Sequence, residues 1–440
     1  MRVLYIHQYF CTRNGRSGTR SYEFAKHLVG RGHHVTMITS ASDLSDVQIP
    51  AGGKTAELLV DGIRVIVINV PYSNHMGTVR RAWSFLRFMF ESTRVALAER
   101  GHDVILATST PLTVGIPGMI ASLAHRRPMV FEVRDLWPEA PIQLGALRNP
   151  VLIAGLRMLE KAIYRRSRRV IALSPGMRDG VVATGFPVER VDVIPNCSDL
   201  DLFAPGPADA AVRARYGLQD ATVITHAGSM GDKNGLKTLL DAADILQRAG
   251  REDIRFLLVG EGRSETALRA RIESLGLRNI VFTGGVSRND VAHLLRASDV
   301  CLSIVKNVPI LATCSPNKLF DALAAGRPVI VNIGGWMREL VETNGAGLYA
   351  EPDSPADLAA RILELVGAPQ RRAEMGKQAR HLAEVEFDRR KLAARFEASL
   401  ATAAGLTTAP AAADPPRLPP ASPAPSPRTA EFVESNTVGR

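Results

Sequence analysis

The stretch Val223-Ile-Thr-His-Ala-Gly-Ser-Met-Gly-Asp-Lys-Asn-Gly235, running into the helix-period segment Leu236 to Leu246, joins a short β-branched strand, a loop with three glycines and a helix start. Gly228, Gly231 and Gly235 let backbone amides come close to an anion, the helix N-terminus lends positive potential, and Lys233 adds a full charge. A diphosphate fits that combination. No Gly-Lys-Ser/Thr follows, which removes the P-loop of ATPases.

Outward from this stretch the same unit repeats. On the carboxyl side come Phe256 to Val259, Ile280 to Thr283, Val300 to Ile304 and Pro328 to Val331. On the amino side come Val3 to His7, Val35 to Thr39, Val65 to Val70, Val104 to Ala107, Met129 to Val133, Val170 to Leu173 and Val191 to Ile194. Strands alternating with helices make a parallel sheet covered on both faces. The loop Asn196 to Gln219, with Pro205, Gly206 and Pro207, interrupts the rhythm, so the expected fold is α/β, with two Rossmann-like domains facing each other across a cleft. The first is expected over residues 1–199 and the second over 200–385. Pro355 to Ala401 reads as consecutive helices; the last, about 386–402, is capped by Asp388 and returns to the first domain with Leu392, Ala393, Phe396 and Leu400 on one side. Residues 404–440 turn to Ala, Pro, Ser and Thr, with eight prolines between Pro410 and Pro427, and are expected to be disordered.

A length of 440 residues with 46% hydrophobic content exceeds one ordinary core and suits two. Cys11, Cys197, Cys301 and Cys314 form no CxxC pair, which argues against a zinc site or a disulfide framework and fits a reducing cytosol. The opening Met1-Arg-Val-Leu-Tyr-Ile-His-Gln-Tyr-Phe10 lacks the basic and long apolar regions of a secretory signal, so a cytoplasmic protein is expected. Val104 to Ala124 is broken by Pro111, Gly115, Pro117 and Gly118, and no transmembrane helix is expected. Lys plus Arg outnumber Asp plus Glu by 54 to 44, which favours diphosphates, acidic lipids or nucleic acid as partners. No zinc finger, arginine-rich tail or RNA-binding aromatic signature accompanies the surplus, and nucleic acid is set aside.

In open parallel sheets ligands collect beyond the carboxyl ends of the strands. After the first strand, the loop Gln8 to Thr19 holds Asn14, Gly15, Ser17 and Gly18 ahead of a helix with Tyr22, Phe24, Ala25 and Leu28; it is either an anion-binding turn or a plain structural one. After Met129 to Val133 comes the most unusual segment, Glu132-Val-Arg-Asp-Leu-Trp-Pro-Glu139. Asp135 and Glu139 could accept from sugar hydroxyls, Arg134 could hold a phosphate or a carboxylate, and Trp137 could stack on a sugar face; the alternative is a salt-bridged loop. Val259-Gly-Glu-Gly262 and Gly284-Gly-Val286 end strands of the second domain and could frame a nucleobase, although Glu261 suits an ordinary turn as well. In Ser315-Pro-Asn-Lys-Leu-Phe-Asp321, Lys318 and Asp321 stand three apart at a helix start and so share a face. Lys318 then suits a phosphate and Asp321 the ribose hydroxyls, a surface ion pair being the alternative.

Together these residues resemble glycosyltransferase family 4 over about residues 1 to 402, and more narrowly its WbuB-like branch of bacterial polysaccharide enzymes. The likeness rests on the opening strand with its glycine loop, Gly32-His-His-Val35, Phe131-Glu-Val-Arg-Asp-Leu-Trp-Pro-Glu139, Leu173-Ser-Pro-Gly176, Ile194-Pro-Asn196, Gly228 to Gly235, Val259-Gly-Glu-Gly262 and Pro316 to Val329. The resemblance implies a GT-B fold, a nucleotide sugar held mainly by the second domain, an acceptor on the first, and transfer with retention of anomeric configuration. It makes Asp135, Glu139 and Arg134 the catalytic candidates. Gly18, Gly228, Ser229, Lys233, Asn234, Glu261, Val286, Lys318 and Asp321 become the donor-binding residues, and His7, Arg20 and Trp137 the acceptor-side ones. There are two departures. The family's pattern of Glu, seven residues, Glu becomes Thr313 and Asp321; in its Gly-Arg-Leu-x-x-x-Lys-Gly loop, Ser229 stands at the Arg and Asn234 at the Lys, with Lys233 one place early. Asp199-Leu-Asp201 has the form of the divalent-ion pair of many sugar transferases, but it lies in the interdomain loop away from the phosphate-type loops. No metal or other cofactor is therefore expected, and the charge of the leaving diphosphate would be met by helix dipole, Lys233 and Lys318.

Between Val79 and Arg100, Arg80, Arg87 and Arg94 recur every seven residues, with Trp83 and Phe90 on one flank and Phe88 on the other; Lys161, Arg165, Arg166, Arg168 and Arg169 form a second cluster. Such a stripe suits a lipid headgroup layer or, equally, a helix with core-facing aromatics and solvated arginines. The expected partners are a nucleotide sugar, a lipid-linked or oligosaccharide acceptor, and an anionic membrane at the inner face of a bacterial plasma membrane. The branch suggests a uridine diphosphate sugar with an N-acetylated or deoxy amino sugar, used in cell-surface polysaccharide synthesis. The rivals are a nucleotide-sugar 2-epimerase and a catalytically silent nucleotide-sugar-binding scaffold, the latter given weight by Thr313.

Overall fold

The computed structural model describes residues 1–13, 15, 18–44, 53–70 and 76–406. Asn14 and Ser17 of the first glycine loop, and the expected disordered tail from residue 407, lie outside the described residues. The first half comprises β1 (Arg2–Ile6), α1 (Arg20–Gly30), β2 (His34–Ser40), β3 (Thr55–Val60), β4 (Ile63–Ile68), α2 (Thr78–Ala98), β5 (Val104–Thr108), α3 (Gly115–Ala124), β6 (Met129–Val133), α4 (Glu139–Gln143), α5 (Pro150–Arg166), β7 (Arg169–Ala172), α6 (Pro175–Ala183) and β8 (Val191–Val193). The second comprises α7 (Ala210–Arg215), β9 (Thr222–Ala227), α8 (Leu236–Arg248), β10 (Ile254–Val259), α9 (Glu265–Leu275), β11 (Ile280–Gly284), α10 (Arg288–Ala297), β12 (Val300–Ser303), α11 (Asn317–Ala324), β13 (Val329–Val331), α12 (Trp336–Thr343), β14 (Gly347–Tyr349), α13 (Pro355–Val366) and α14 (Pro369–Glu386). Then α15 (Arg389–Ala404) crosses back.

The first sheet has the order β3-β4-β2-β1-β5-β6-β7-β8 and the second β11-β10-β9-β12-β13-β14. Every described pairing is parallel except β3 with β4. That edge hairpin departs from the wholly parallel sheet the sequence predicts: β3 alternates exposed and half-buried residues, which an edge tolerates. Central strands β5 and β6 are buried throughout, because helices cover both of their faces. On one face α2 packs on α3, and α3 on α5.

On the other face lie α1 and the returning α15, which contacts β5, β6 and β7. The Asp388 carboxylate caps α15 by accepting from Arg390 N at 2.8 Å. Phe396 meets the Phe24 ring at 4.8 Å and the Tyr5 ring at 6.4 Å, and Glu397 accepts from His33 and His27 of the first half. Apolar packing also continues across the junction, where Phe320 of α11 meets Phe387, between α14 and α15, at 4.7 Å. The carboxyl ends of both sheets thereby open on one crevice, the position where such sheets take ligands.

Candidate functional site

On the first-half wall, Glu132 is fully buried near the end of β6 and accepts from Thr108 and, at 2.9 Å, from Arg20 Nε. Arg20 donates its remaining arms to the carbonyls of Pro195 (2.6 Å) and Ile194 (2.9 Å). This corrects one expectation: Arg20 is a buried tie between β6 and the interdomain loop, its guanidinium held by Glu132 and the carbonyls of Pro195 and Ile194. His7, just past β1, has Nδ1 2.8 Å from Ser21 Oγ and Nε2 3.1 Å from Arg134 Nη1. A guanidinium only donates, so Nε2 accepts, and the ring proton sits on Nδ1 and donates to Ser21. Burial, then the Arg134 charge, holds the His7 pKa well below the usual range, which keeps the ring neutral. Arg134 is fixed at its backbone N by Ser109 Oγ at 2.9 Å. Trp137 is half-buried against the first core.

Gly18 shows how close the halves come. A Cβ there would stand 3.0 Å from Asn317 Nδ2, at the start of α11, and 3.6 Å from Arg134 Nη2. A methyl there would require the Asn317 amide to move by a few tenths of an ångström.

On the second-half wall, two glycine turns stack backbone on backbone. Gly228 N donates to Val259 O and Met230 N to Glu261 O, both at 2.9 Å. Gly260 has φ +125°, and a Cβ on it would lie 2.2 Å from Gly228 O, so the stacking demands glycine. Asn234 Nδ2 donates to Ser229 O at 2.6 Å and to Ser229 Oγ at 3.2 Å, while its Oδ1 accepts from Lys318 Nζ at 2.9 Å. Lys318 also donates to Ile304 O at 2.9 Å. Its pKa falls to about 7, first because burial strips water from the ammonium and then because Lys233 repels it. Lys233 behaves oppositely: it is exposed in the crevice, and Asp135 across the gap raises its pKa above the usual lysine value. Asp135 is half-buried at the β6 exit, so a carboxylate of the first half and an ammonium of the second face each other. Glu261 lies over Gly285, where a Cβ would be 2.6 Å from its Cδ, next to Val286 past the end of β11.

The structure separates two other expected residues from this group. Glu139, in the first turn of α4, lies 2.6 and 3.0 Å from Arg157 of α5 on the outer surface, which is the salt-bridged alternative. Asp321 does not share Lys318's surroundings: its buried carboxylate takes two bonds from half-buried Arg288, at 2.7 and 3.0 Å, and one from buried Ser198 Oγ at 3.1 Å. Three apart on a helix is still about 60° around it, enough for the two side chains to enter different environments. Asp199 lies 2.6 Å from Arg389 and 3.0 Å from Arg13, and Asp201 binds Arg390, so arginines occupy both carboxylates of the Asp-x-Asp pair. Thr313 serves the seam between the halves: its O accepts from Ser174 Oγ at 2.5 Å, its Oγ1 donates to Ile310 O at 2.8 Å, and its methyl lies against Gly176.

Sequence reading missed Asn317, although it sits inside the Ser-Pro-Asn-Lys segment, and His226. The latter is fully buried at the end of β9, and neither ring nitrogen has a hydrogen-bond partner among the described residues. Its Nε2 would be 3.7 Å from a Cβ on Gly228. A titratable residue inside a β-branched strand was the available signal.

A family model described as "Glycosyl transferase 4-like domain" matches residues 17–197, and one described as "Glycosyl transferases group 1" matches residues 221–368. WcaI of Escherichia coli, named for a colanic acid biosynthesis glycosyl transferase, is 25% identical over 395 residues, covering 86% of this chain and 94% of its own. A D-inositol 3-phosphate glycosyltransferase of Rhodococcus opacus is 31% identical over 283 residues, 61% of each chain. Among solved structures, HepE of Anabaena in complex with UDP and glucose superposes with a TM-score of 0.70 at 21% identity, over 91% of this chain and 100% of that one. Sucrose-phosphate synthase of Thermosynechococcus elongatus gives 0.71 at 18% identity, over 90% and 97%.

Proposed function

We propose, for a chain that belongs to glycosyltransferase family 4 and has its GT-B fold, that the crevice moves a sugar from a nucleotide diphosphate sugar to an acceptor presented at the cytoplasmic face of a membrane, in cell-surface polysaccharide synthesis. The observation that carries this reading is that the Asp135 carboxylate of the first half acts electrostatically across the gap on Lys233, which belongs to the glycine loop of the second half that stacks on the Val259–Gly262 turn. Amides of the Gly228–Gly235 turn other than those of Gly228, Met230 and Asn234, which donate to Val259, Glu261 and Gly231, hold the diphosphate together with Lys233 and the remaining donor of Lys318, with Asn234 and Ser229 shaping the loop; Glu261 and Val286 flank the base. Gly18 and Arg134 bring the first half over the sugar, with His7 orienting Arg134 and Trp137 beside the acceptor path.

The transfer is read as retaining. The bond from the anomeric carbon to the diphosphate oxygen breaks as the acceptor oxygen bonds to the same face, and the acceptor proton passes to the departing diphosphate. Asp135 positions the hydroxyl, and fixed cations and amides stabilise the charge developing on the leaving group without a divalent ion. The ion-paired state of Asp199 and Asp201 supports that last point. The UDP bound to HepE makes UDP-sugars the first donors to test.

The test is acceptor-dependent release of nucleotide with EDTA present, using a membrane extract as acceptor source. Turnover that needs acceptor and survives the chelator is expected. Loss of turnover with EDTA overturns metal independence, and isomerisation of donor alone makes the protein an epimerase. A silent scaffold is favoured by one observation, Thr313 serving the seam; any acceptor-dependent release excludes it.

A further inference from the structure

Helix α2 is apolar on two opposite sides. Ser84, Phe88, Ser92 and Ala96 are buried toward the sheet. Val79, Trp83, Leu86 and Phe90 fall within a sector of about 60° roughly opposite, and Trp83 and Phe90 are each 68% exposed. Of the two sequence readings of this helix, the core-facing one therefore holds for Phe88 alone. Arg80, Arg87 and Arg94 run exposed beside the outward stripe. The same layer repeats the pattern: α3 exposes Leu123 (62%), and α5 exposes Val151 (79%), Leu152 and Met158 (73%) next to exposed Lys161 and Arg165. Of the rest of the second basic cluster, Arg169 is paired to Asp192 and Arg166 bonded to Ser122 O, and Arg168 is exposed.

We propose that the outer face of the α2–α3–α5 layer docks on an anionic lipid bilayer. Large apolar side chains standing in solvent next to a basic row match an acyl boundary beneath acidic headgroups. A second copy of this chain on the same face would set arginine rows against each other. Among the described residues no helix is long and apolar enough to cross a membrane, so the contact is lateral. It also has a direction: α2 and α5 start from the carboxyl-end side of the sheet, so Val79, Trp83, Val151 and Leu152 lie at the crevice end of the layer. Docking there puts the mouth of the crevice at the headgroups. The proposal deepens the reading of a membrane-presented acceptor, yet lipid binding is measured with neither donor nor acceptor, so the two fail separately.

The test is flotation of the full chain with vesicles of phosphatidylcholine, with and without about one-third phosphatidylglycerol. The wild type should float with the anionic vesicles at low salt and shift its tryptophan emission to the blue. Trp83 would report this shift, since Trp336 is buried and Trp137 half-buried. The double variant Trp83→Ser, Phe90→Ser should stay at the bottom of the gradient. Arg80→Gln, Arg87→Gln, Arg94→Gln should weaken anionic binding about a hundredfold and reduce its salt sensitivity, Lys161 and Arg165 supplying the remainder. Unchanged melting temperature and UDP binding would show that both variants fold. Absence of flotation, or flotation indifferent to Trp83 and Phe90, overturns the proposal. A dimer in solution that the double variant dissolves, without lipid binding by the wild type, would assign the face to a second copy instead.

Discussion

Lys318→Met probes the charge at the floor of the donor site. In the free protein, burial and Lys233 lower the lysine pKa from 10.5 to about 7, so charging the side chain is disfavoured by on the order of 5 kcal/mol relative to water. Near neutral pH about half of the molecules therefore carry an uncharged Lys318. A diphosphate next to Nζ raises the pKa again, so binding takes up a fraction of a proton and weakens as pH rises from 7 to 9. Methionine keeps the length of the side chain but removes the charge and its bonds to Asn234 and Ile304. Loss of a charge-assisted hydrogen bond, about 1.5–3 kcal/mol, predicts a Kd for UDP ten- to roughly a hundredfold higher at pH 7. Stability carries its own sign. The folded pKa lies below the unfolded one, so the unfolded chain binds the extra proton, and wild-type stability gains from pH 7 up to about 10.5; the variant lacks that gain. Titration calorimetry in two buffers of different ionisation enthalpy reads affinity and proton uptake together. A folded Lys318→Met that binds UDP within threefold of wild type, with the same proton uptake, would refute the placing of Lys318 on the diphosphate.

Asp135→Asn should lower kcat about a hundredfold or more while leaving the donor KM within a few-fold, because an amide keeps the shape but not the charge that orients the hydroxyl; wild-type turnover in a steady-state assay would remove Asp135 from the mechanism. Asp321→Asn leaves the Arg288 guanidinium buried without its counter-charge, for an expected loss of about 3 kcal/mol in denaturant unfolding with UDP affinity unchanged. A weakened UDP Kd at unaltered stability would return Asp321 to the ribose. Glu160, buried on α5, has its pKa raised to about 7, mainly by burial. Its folded form holds a proton that the unfolded chain gives up near pH 4.5, so wild-type stability falls as pH rises from 4.5 to 7. Glu160→Gln should then stabilise by about 1–3 kcal/mol at pH 8 and by nothing at pH 4.5, and equal melting curves at pH 8 would contradict the assignment.

The strands that were legible in the sequence are those buried on both faces, such as β5, β6, β9 and β10, whose β-branched runs leave little choice. The half-exposed β3 and the three-residue β14 gave no such run. The glycine turns at 228, 260 and 285 were legible because a backbone approach can only be met by one residue type. The partners of charged side chains were not. Arg20 finds Glu132 at 112 residues' distance, Asp321 finds Arg288 at 33 and Glu139 finds Arg157 at 18. In each case local sequence correctly marked a charged group near a strand or helix end. Whether that charge meets a ligand or a counter-charge is decided by segments far along the chain.

The chain passes between its halves twice, once after β8 and once before α15, and the two passages run side by side: Ser198 and Asp388 form an isolated parallel bridge, and Ser198 N donates to Phe387 O at 3.4 Å. Two bodies held by neighbouring tethers have little freedom to twist or slide; what is left is flexion about a short, shared strap. The strap also reaches the crevice wall, since Ser198 Oγ donates to Asp321 on the helix that Asn317 begins, so tether and closing edge are joined through one buried hydrogen bond.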